Sequence, residues 1–364
     1  MENFVERLAS GENLILENPG LRNIGKDVEE AARKAGLRGH CIFRTSGSTG
    51  DPKFVCLSRE ALNASAKAVN DFLDVTAEDR WMNALPFFHV GGFGISLRAS
   101  LSGSRCLELR GKWNAEEFVS RCLADGVTLT SLVPTQSSDI VSRSLQCPET
   151  MRAVLVGGGA LSLSLLERLR GLGWPVRRTY GMTEAGSQIA TEDEEGRMQV
   201  LPIWETKTLK DGLLAIRGDA LLSGYLVADG GAFSFRNPKD ENGWFLTADK
   251  VRFEKGVMHF EGRADQTVKV MGELVDLFGL ELRLKNSRSD NGDVVLFPVP
   301  DERRGFRIFG FVEGMEGETE KLLAEFNASV VGYERLEKIV SVPELPRTAL
   351  GKIDRPKLAE LLPD

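Results

Sequence analysis

Between residues 28 and 191, segments with helical apolar spacing alternate with short, β-branched apolar runs. VEEAARKAG (28–36) reads as a helix stopped by Gly36. REALNASAKAVNDFL, after a Ser58 cap, and NAEEFVSRCLAD (114–125), capped by Asn114, read as two more. CIF, VTLTSLVPT, MRAVLV and VRRTY supply the strands between. Strands joined through helices run parallel and have covered faces, so this alternation demands an α/β body with a largely parallel sheet. After Thr191 the pattern changes. LLAIRG, GAFSFR and GWFLTADKVRFEKGVMHFEGR predict an antiparallel β module, with a hairpin tip at Glu254-Lys255-Gly256. From Asp265 onward, TVKVMG, VVLFPVP, FRIFGFVEG and LEKIVSVPEL predict strands, and ETEKLLAEFNASV an amphipathic helix. The expected architecture is a large α/β N-terminal domain over 1–264, with layered sheets, helices and an antiparallel β module, followed by a small α+β domain over 265–364.

Composition removes several function classes. With 42% apolar residues the chain can build a large core, which excludes a disordered scaffold. The 46 Lys+Arg against 53 Asp+Glu give a net charge of −7, so no overall field draws nucleic acid or an anionic bilayer. An anionic ligand must be held locally. No apolar run is long enough for a membrane span, and MENFVERLASGENLILENPG lacks a signal-peptide core. The five cysteines (41, 56, 106, 122, 147) form no Cys-x-x-Cys pair, and their odd number suits reduced thiols, which predicts a cytoplasmic location. His40, His89 and His259 make no zinc set with them.

Five segments carry the residue types that chemistry needs. Thr45-Ser46-Gly47-Ser48-Thr49-Gly50-Asp51-Pro52-Lys53 packs hydroxyls, glycines and one lysine into a loop between two strands. Inward-turned backbone N–H groups, hydroxyl donors and an ammonium suit a polyphosphate. A Walker-like stretch at Gly20 to Lys26 fails, because Asp27 replaces the metal-binding hydroxyl. Tyr180-Gly181-Met182-Thr183-Glu184 offers a ring for a purine face, a hydroxyl for phosphate and a carboxylate for magnesium. Thr247-Ala248-Asp249 places a carboxylate at a strand end, where it can accept from both ribose hydroxyls. Gly262-Arg263-Ala264-Asp265 lies where the β module gives way to the terminal domain. Pro346-Arg347-Thr348-Ala349-Leu350-Gly351-Lys352 is a loop presenting one lysine. Taken singly, each of these is also an ordinary turn or solvated loop.

Together the segments resemble one family. TSGSTGDPK (45–53), YGMTEAG (180–186), GWFLTAD (243–249), GRADQTVKVMG (262–272), VPDERRG (299–305) and PRTALGKIDR (346–355) are similar, in wording and order, to the adenylate-forming superfamily of acyl-CoA synthetases, adenylation domains and luciferases. LPFFHVGGFGISLRASLSG (85–103) and TSLVPTQ (130–136) are most similar to its o-succinylbenzoate–CoA ligases, which serve menaquinone synthesis. The resemblance implies a two-step reaction. A carboxylate attacks the α-phosphorus of ATP and releases pyrophosphate; the thiol of CoA then takes the acyl group and releases AMP. It further implies ATP, Mg2+ and CoA as cofactor and co-substrates, with Lys352 as the cation at the reacting carboxylate. Thr183 would hold the α-phosphate and Glu184 the metal. Thr45, Ser46, Gly47, Ser48, Thr49, Gly50 and Lys53 would cover the outer phosphates. Gly157, Gly158, Gly159, Tyr180 and Gly181 would form the adenine slot, and Asp249 with Arg263 would hold the ribose. Asp265 would be the hinge of a mobile C-terminal lid that brings Lys352 in for the first step and withdraws it for the second, with Lys269 serving the thioester face. His89 would lie beside the acyl pocket, though a histidine among aromatics also suits a packed core.

The sequence departs from the family at three places. Ala248 replaces the glycine of Thr-Gly-Asp, which a negative φ would accommodate. The phosphate loop begins at residue 45, where members place a much longer segment ahead of it, so a shortened first subdomain is expected. KVMGELVDLFGLE differs from the Ser-Gly-Gly-Glu-Asn wording of o-succinylbenzoate ligases. The expected partners are a small carboxylic acid and CoA, with no nucleic acid and no stable membrane insertion, for a monomer or homodimer. A carrier-protein-loading enzyme and a silent nucleotide-binding regulator are the competing readings.

Overall fold

The structure, a computed structural model, describes residues 4, 7, 10–18, 24–46, 52–159, 161–230, 232–288, 292–315, 317–348 and 353–362. Its centre is a seven-stranded sheet. Arg105–Glu108, Arg80–Asn83, Leu129–Leu132, Ala153–Val156 and Val176–Met182 run parallel across it. Ser187–Glu192 and Met198–Val200 add two antiparallel strands at one edge. The parallel strands are joined through helices, among them Val90–Ser102, Ala115–Ala124, Pro134–Ser142 and Leu163–Gly171. The expected caps are made: Ser58 Oγ accepts from Ala61 N at 3.1 Å, and Asn114 Oδ1 from Glu117 N at 2.8 Å.

A five-stranded sheet holds the hairpin His40–Ser46 and Pro52–Ser58 at its middle. Leu14–Leu16 flanks it on one side; Gly224–Asp229 and Ala232–Arg236 flank it on the other. A four-stranded antiparallel sheet follows, built from Trp204–Thr208, Leu213–Gly218, Phe245–Glu254 and Val257–Arg263. Lys255 and Gly256 turn its last hairpin at φ 49° and 83°. One hydrophobic cluster joins these three sheets, running through Phe43, Val55, Trp81, Phe93, Leu129, Ile189 and Ile216. The opposite face of the seven-stranded sheet packs a second cluster around Phe118 and Trp174. From Thr267 onward, a two-stranded and a three-stranded sheet pack against Leu277–Asn286 and Thr319–Ser329 in clusters of their own. The chain is thus a large α/β body with an antiparallel β module and a small α+β unit.

Three sequence expectations need correction. GAFSFR belongs to the five-stranded sheet, because Ala232–Arg236 pairs with Gly224–Asp229 and not with the β module. VTLTSLVPT is a strand only over Leu129–Leu132; Pro134 starts a helix, a position where its missing N–H costs nothing. GMTEAGS, which reads in sequence as a loop after the VRRTY strand, instead carries that strand on to Met182, makes a 3₁₀ turn over Thr183–Ala185 and enters the strand Ser187–Glu192. Among the described residues no helix is long and apolar enough to cross a membrane.

One ion pair joins the residues that lead into two strands of the parallel sheet, Arg80–Asn83 and Ala153–Val156. Burial raises the pKa of Asp79, but Arg152 (Nη2 to Oδ2, 2.8 Å), the Thr76 N–H and the Thr128 hydroxyl outweigh it and hold the carboxyl at about 2. A lowered folded-state pKa contributes stability that is full above the ordinary value of 3.8 and is lost as pH falls through about 2. Asp79→Asn is therefore expected to cost about 2 kcal/mol near neutral pH. In urea titrations from neutral to acid pH, the gap between variant and parent should close toward the acid end; a constant gap would contradict the assignment.

Candidate active site

The hairpin His40–Ser46/Pro52–Ser58, the turn after Met182 and the strand containing Tyr225 meet at one place. Lys53 sits at the start of its strand, with Thr45 opposite it; the Thr45 hydroxyl donates to the Lys53 carbonyl at 3.1 Å. Gly224–Asp229 pairs antiparallel with the same strand, Val227 facing Lys53 and Tyr225 facing Val55. Lys53 and Tyr225 are therefore diagonal neighbours on one face, within reach of long side chains. The Lys53 ammonium lies 3.4 Å from the centre of the Tyr225 ring and 3.8 Å from Glu184 Oε1. Burial lowers the lysine pKa, opposed by the Glu184 charge. The Tyr225 hydroxyl donates to Glu184 Oε1 at 3.0 Å. Glu184 lies in the 3₁₀ turn, whose carbonyl accepts from Leu222 N at 2.8 Å and so anchors the turn to the Tyr225 strand. Thr183 lies in the same turn.

A second cluster is built by cross-strand pairing. Asp249 faces Arg263 in the Phe245–Glu254/Val257–Arg263 hairpin. Asp249 is 3% exposed. Its Oδ1 accepts from Arg263 Nη1 at 2.7 Å and its Oδ2 from the Tyr180 hydroxyl at 2.6 Å. Arg263 also grips both oxygens of Asp265, at 2.8 and 2.6 Å. Burial raises the Asp249 pKa, against the hydrogen bond of Tyr180 and the charge of Arg263. Asp265 falls in the 3₁₀ turn Ala264–Gln266. Ala248 is not among the residues with positive φ, so replacement of glycine there is tolerated. Thr247 is buried and donates to the Leu214 carbonyl at 2.8 Å while accepting from Asp249 N at 3.1 Å, which fixes the strand end beneath the carboxylate.

Gly157, Gly158 and Gly159 follow the strand Ala153–Val156, next to the strand carrying Tyr180. A Cβ on Gly157 would collide with the Thr179 hydroxyl, and one on Gly181 with the Ser187 carbonyl; Gly158 takes φ +78°. These glycines keep the edge beside Tyr180 clear. Tyr180 itself packs against Phe260, ring centres 5.8 Å apart. His89 is half-buried at the start of Val90–Ser102, against Phe88. Gly92 is a packing glycine, since a Cβ would strike the backbone of Leu85 and Pro86, whereas Gly94 adjoins the guanidinium of Arg98. Gly47, Ser48, Thr49, Gly50 and Lys352 lie outside the described residues, as does the side chain of Ser46.

The arrangement can hold a nucleotide at two ends: a cation and a carboxylate for a metal-bound polyphosphate, and a buried carboxylate for paired hydroxyls. The donor set fits magnesium. Among the described residues no group of three or more His, Cys, Asp or Glu gathers, so the chain offers one carboxylate in place of a protein cage. Magnesium in nucleotide sites is held that way, by one or two carboxylates with phosphate oxygens completing the shell.

Comparison with known proteins points the same way. Residues 39–226 match the family model of the AMP-binding enzymes. The chain belongs to the AMP-binding enzyme family. A 2-succinylbenzoate–CoA ligase of a Geobacillus species is 30% identical over 89% of this chain and 69% of its own length. The ligase of the same name from Bacillus licheniformis is 29% identical over 87% and 69%. The o-succinylbenzoate CoA synthetase of Bacillus subtilis, solved with its acyl-adenylate intermediate, is 25% identical and superposes with a TM-score of 0.76 over 87% of this chain and 68% of that one. The same enzyme with ATP and magnesium gives 0.75.

For a family member, two groups beside the site were not found from the sequence. Arg98 is 1% exposed within Val90–Ser102. Its Nη2 donates to Ser187 Oγ at 3.0 Å, its Nε has no hydrogen-bond partner, and no carboxylate among the described residues pairs with it. Burial pulls its guanidinium down to about 10. Ser187 holds φ 142°, a strained value for serine, directly after the Glu184 turn. The available signal was a single arginine inside an otherwise apolar helix, FGISLRASL. Tyr225 gave no local signal, because its partners come from other segments.

Proposed function

We propose that this chain activates a carboxylic acid with ATP and transfers the acyl group to CoA, with o-succinylbenzoate as the acid. The observation that carries the reaction class is the convergence of Lys53, Glu184 and Tyr225 from three separate segments, alongside the buried Asp249. In the first step an anion approaches a polyanion, so positive charge must gather where negative charge develops. Lys53 faces the outer phosphates, and Thr183 donates to the α-phosphate. Asp249 accepts from the ribose hydroxyls through the lone pairs that Tyr180 and Arg263 leave unused. Glu184 would hold Mg2+, which neutralises charge on the departing pyrophosphate. Lys352, on a C-terminal domain beginning at Asp265, enters beside the reacting carboxylate and withdraws before the thiol arrives.

Arg98 supports the choice of acid. A buried guanidinium without a carboxylate partner is costly, and an incoming carboxylate would relieve that cost. o-Succinylbenzoate carries two carboxylates, one to react and one to meet a cation. The Bacillus and Geobacillus relatives are named for this acid. The test is carboxylate-dependent exchange of labelled pyrophosphate into ATP. With o-succinylbenzoate, Arg98→Met is expected to lower kcat/KM about thirtyfold, the loss of one buried charged contact. With benzoate the loss should be small. Equal losses would remove Arg98 from acid recognition, and no exchange with any acid would overturn the reaction class.

A further inference from the structure

An ammonium and a carboxylate in one half-buried site attract each other, and a direct contact would close to about 2.8 Å. Lys53 Nζ and Glu184 Oε1 stand 3.8 Å apart instead. If they closed, each charge would neutralise the other and neither would serve a ligand. Tyr225 touches both: its hydroxyl donates to Glu184 Oε1 at 3.0 Å, and its ring face lies 3.4 Å from the ammonium. A phenol hydroxyl is a neutral donor at physiological pH.

The ring cannot follow either partner. Tyr225 is 7% exposed on a strand paired on both sides, by Pro52–Ser58 and by Ala232–Arg236. The strand enters under restraint: Ser223 N donates to the Cys56 carbonyl at 2.8 Å, and a side chain on Gly224 would collide with the Phe235 ring.

We infer that Tyr225 is a positioning residue that keeps Lys53 and Glu184 apart, its hydroxyl aiming the carboxylate at the nucleotide-bound divalent metal and its ring presenting the ammonium to the polyphosphate. The inference rests on the proposed nucleotide chemistry and adds to it the residue through which the two charges are held separate. The two contacts are separable by substitution. Phenylalanine keeps the ring and removes the hydroxyl; leucine removes both.

The experiment measures binding, without turnover, of a non-hydrolysable ATP analogue, with Mn2+ followed by electron paramagnetic resonance. Tyr225→Phe should weaken Mn2+ binding to the analogue complex about tenfold, the size expected for one hydrogen bond to a charged group. In EDTA its affinity for the analogue should stay within about twofold of the parent, because the ring still supports Lys53. Tyr225→Leu should lose analogue affinity in EDTA as well. In a Glu184→Gln background, Tyr225→Phe should have no further effect on Mn2+, since the hydroxyl acts through that carboxylate. Equal Mn2+ losses in both backgrounds, or no loss in either while the parent binds normally, would overturn the positioning role. Failure of the parent to bind the analogue would instead remove the nucleotide reading itself. Thermal unfolding of each variant identifies any loss that comes from misfolding.

Discussion

Replacing Lys352 by alanine is expected to lower acid-dependent pyrophosphate exchange by about 10²- to 10³-fold, while thioester formation from supplied acyl-AMP and CoA stays within a few-fold of the parent. The physical basis is the charge of the first step. Removing one preorganised donor aimed at developing charge typically costs that factor. In the second step the mixed anhydride is already formed, and a neutral thiol or its thiolate attacks a carbonyl. Lys352 has by then withdrawn with its domain, so the oxyanion that forms as the thiol adds and the departing AMP are met by other groups. The described residues on either side of 349–352 are anchored by ion pairs. Arg347 pairs with Asp293 and Glu313 at 2.7 and 3.0 Å, and Arg355 with Glu281 at 2.6 Å. Arg347 and Ile353 form a β-bridge across the loop ends. The measurement is the ratio of the two half-reactions. Equal loss in both would contradict the division of labour.

Asp249→Asn is expected to weaken nucleotide binding about a hundredfold without loss of fold stability. Two hydroxyl hydrogen bonds to a charged acceptor become bonds to a neutral one, which accounts for the affinity. Stability follows from the sign of the pKa shift. Burial raises the Asp249 pKa above its ordinary value of 3.8 in spite of Tyr180 and Arg263. A raised carboxylate pKa contributes stability that is full below 3.8 and is lost as pH rises through the folded-state value. At neutral pH the ionised group therefore burdens the fold. Asparagine keeps an acceptor for the Tyr180 hydroxyl, and Arg263 keeps Asp265. The urea midpoint should match or exceed that of the parent, with the difference vanishing at acid pH. A loss of stability together with affinity would show that Asp249 serves the fold first. This is the pattern expected where a functional site retains a group at the expense of stability.

Part of the candidate site was legible in the sequence because its residue types stand close together in the chain. Thr45 and Lys53 face each other in one hairpin, and Thr183 and Glu184 share one turn. Asp249 and Arg263 were each read from their own motif, and the hairpin made them a cross-strand pair. Arg98 and Tyr225 were not legible. Arg98 was hidden because an arginine in an apolar helix has no local cue that no carboxylate among the described residues pairs with it. Tyr225 was hidden because its role depends on strand register between segments far apart in the chain. The same cause misplaced GAFSFR, whose alternation fits either sheet.

The sequence by itself determined the alternation of helices with parallel strands up to Val176–Met182, the antiparallel pairing of the later β module, and the residue types at its turns, since period and turn chemistry are properties of neighbouring residues. Only the tertiary structure decided which strand lies beside which, which cation remains buried without an anion, and how far apart two opposite charges are held. Those outcomes depend on register, burial and packing between segments distant in sequence, where a shift of one residue would turn Tyr225 away from Lys53 and Glu184 altogether.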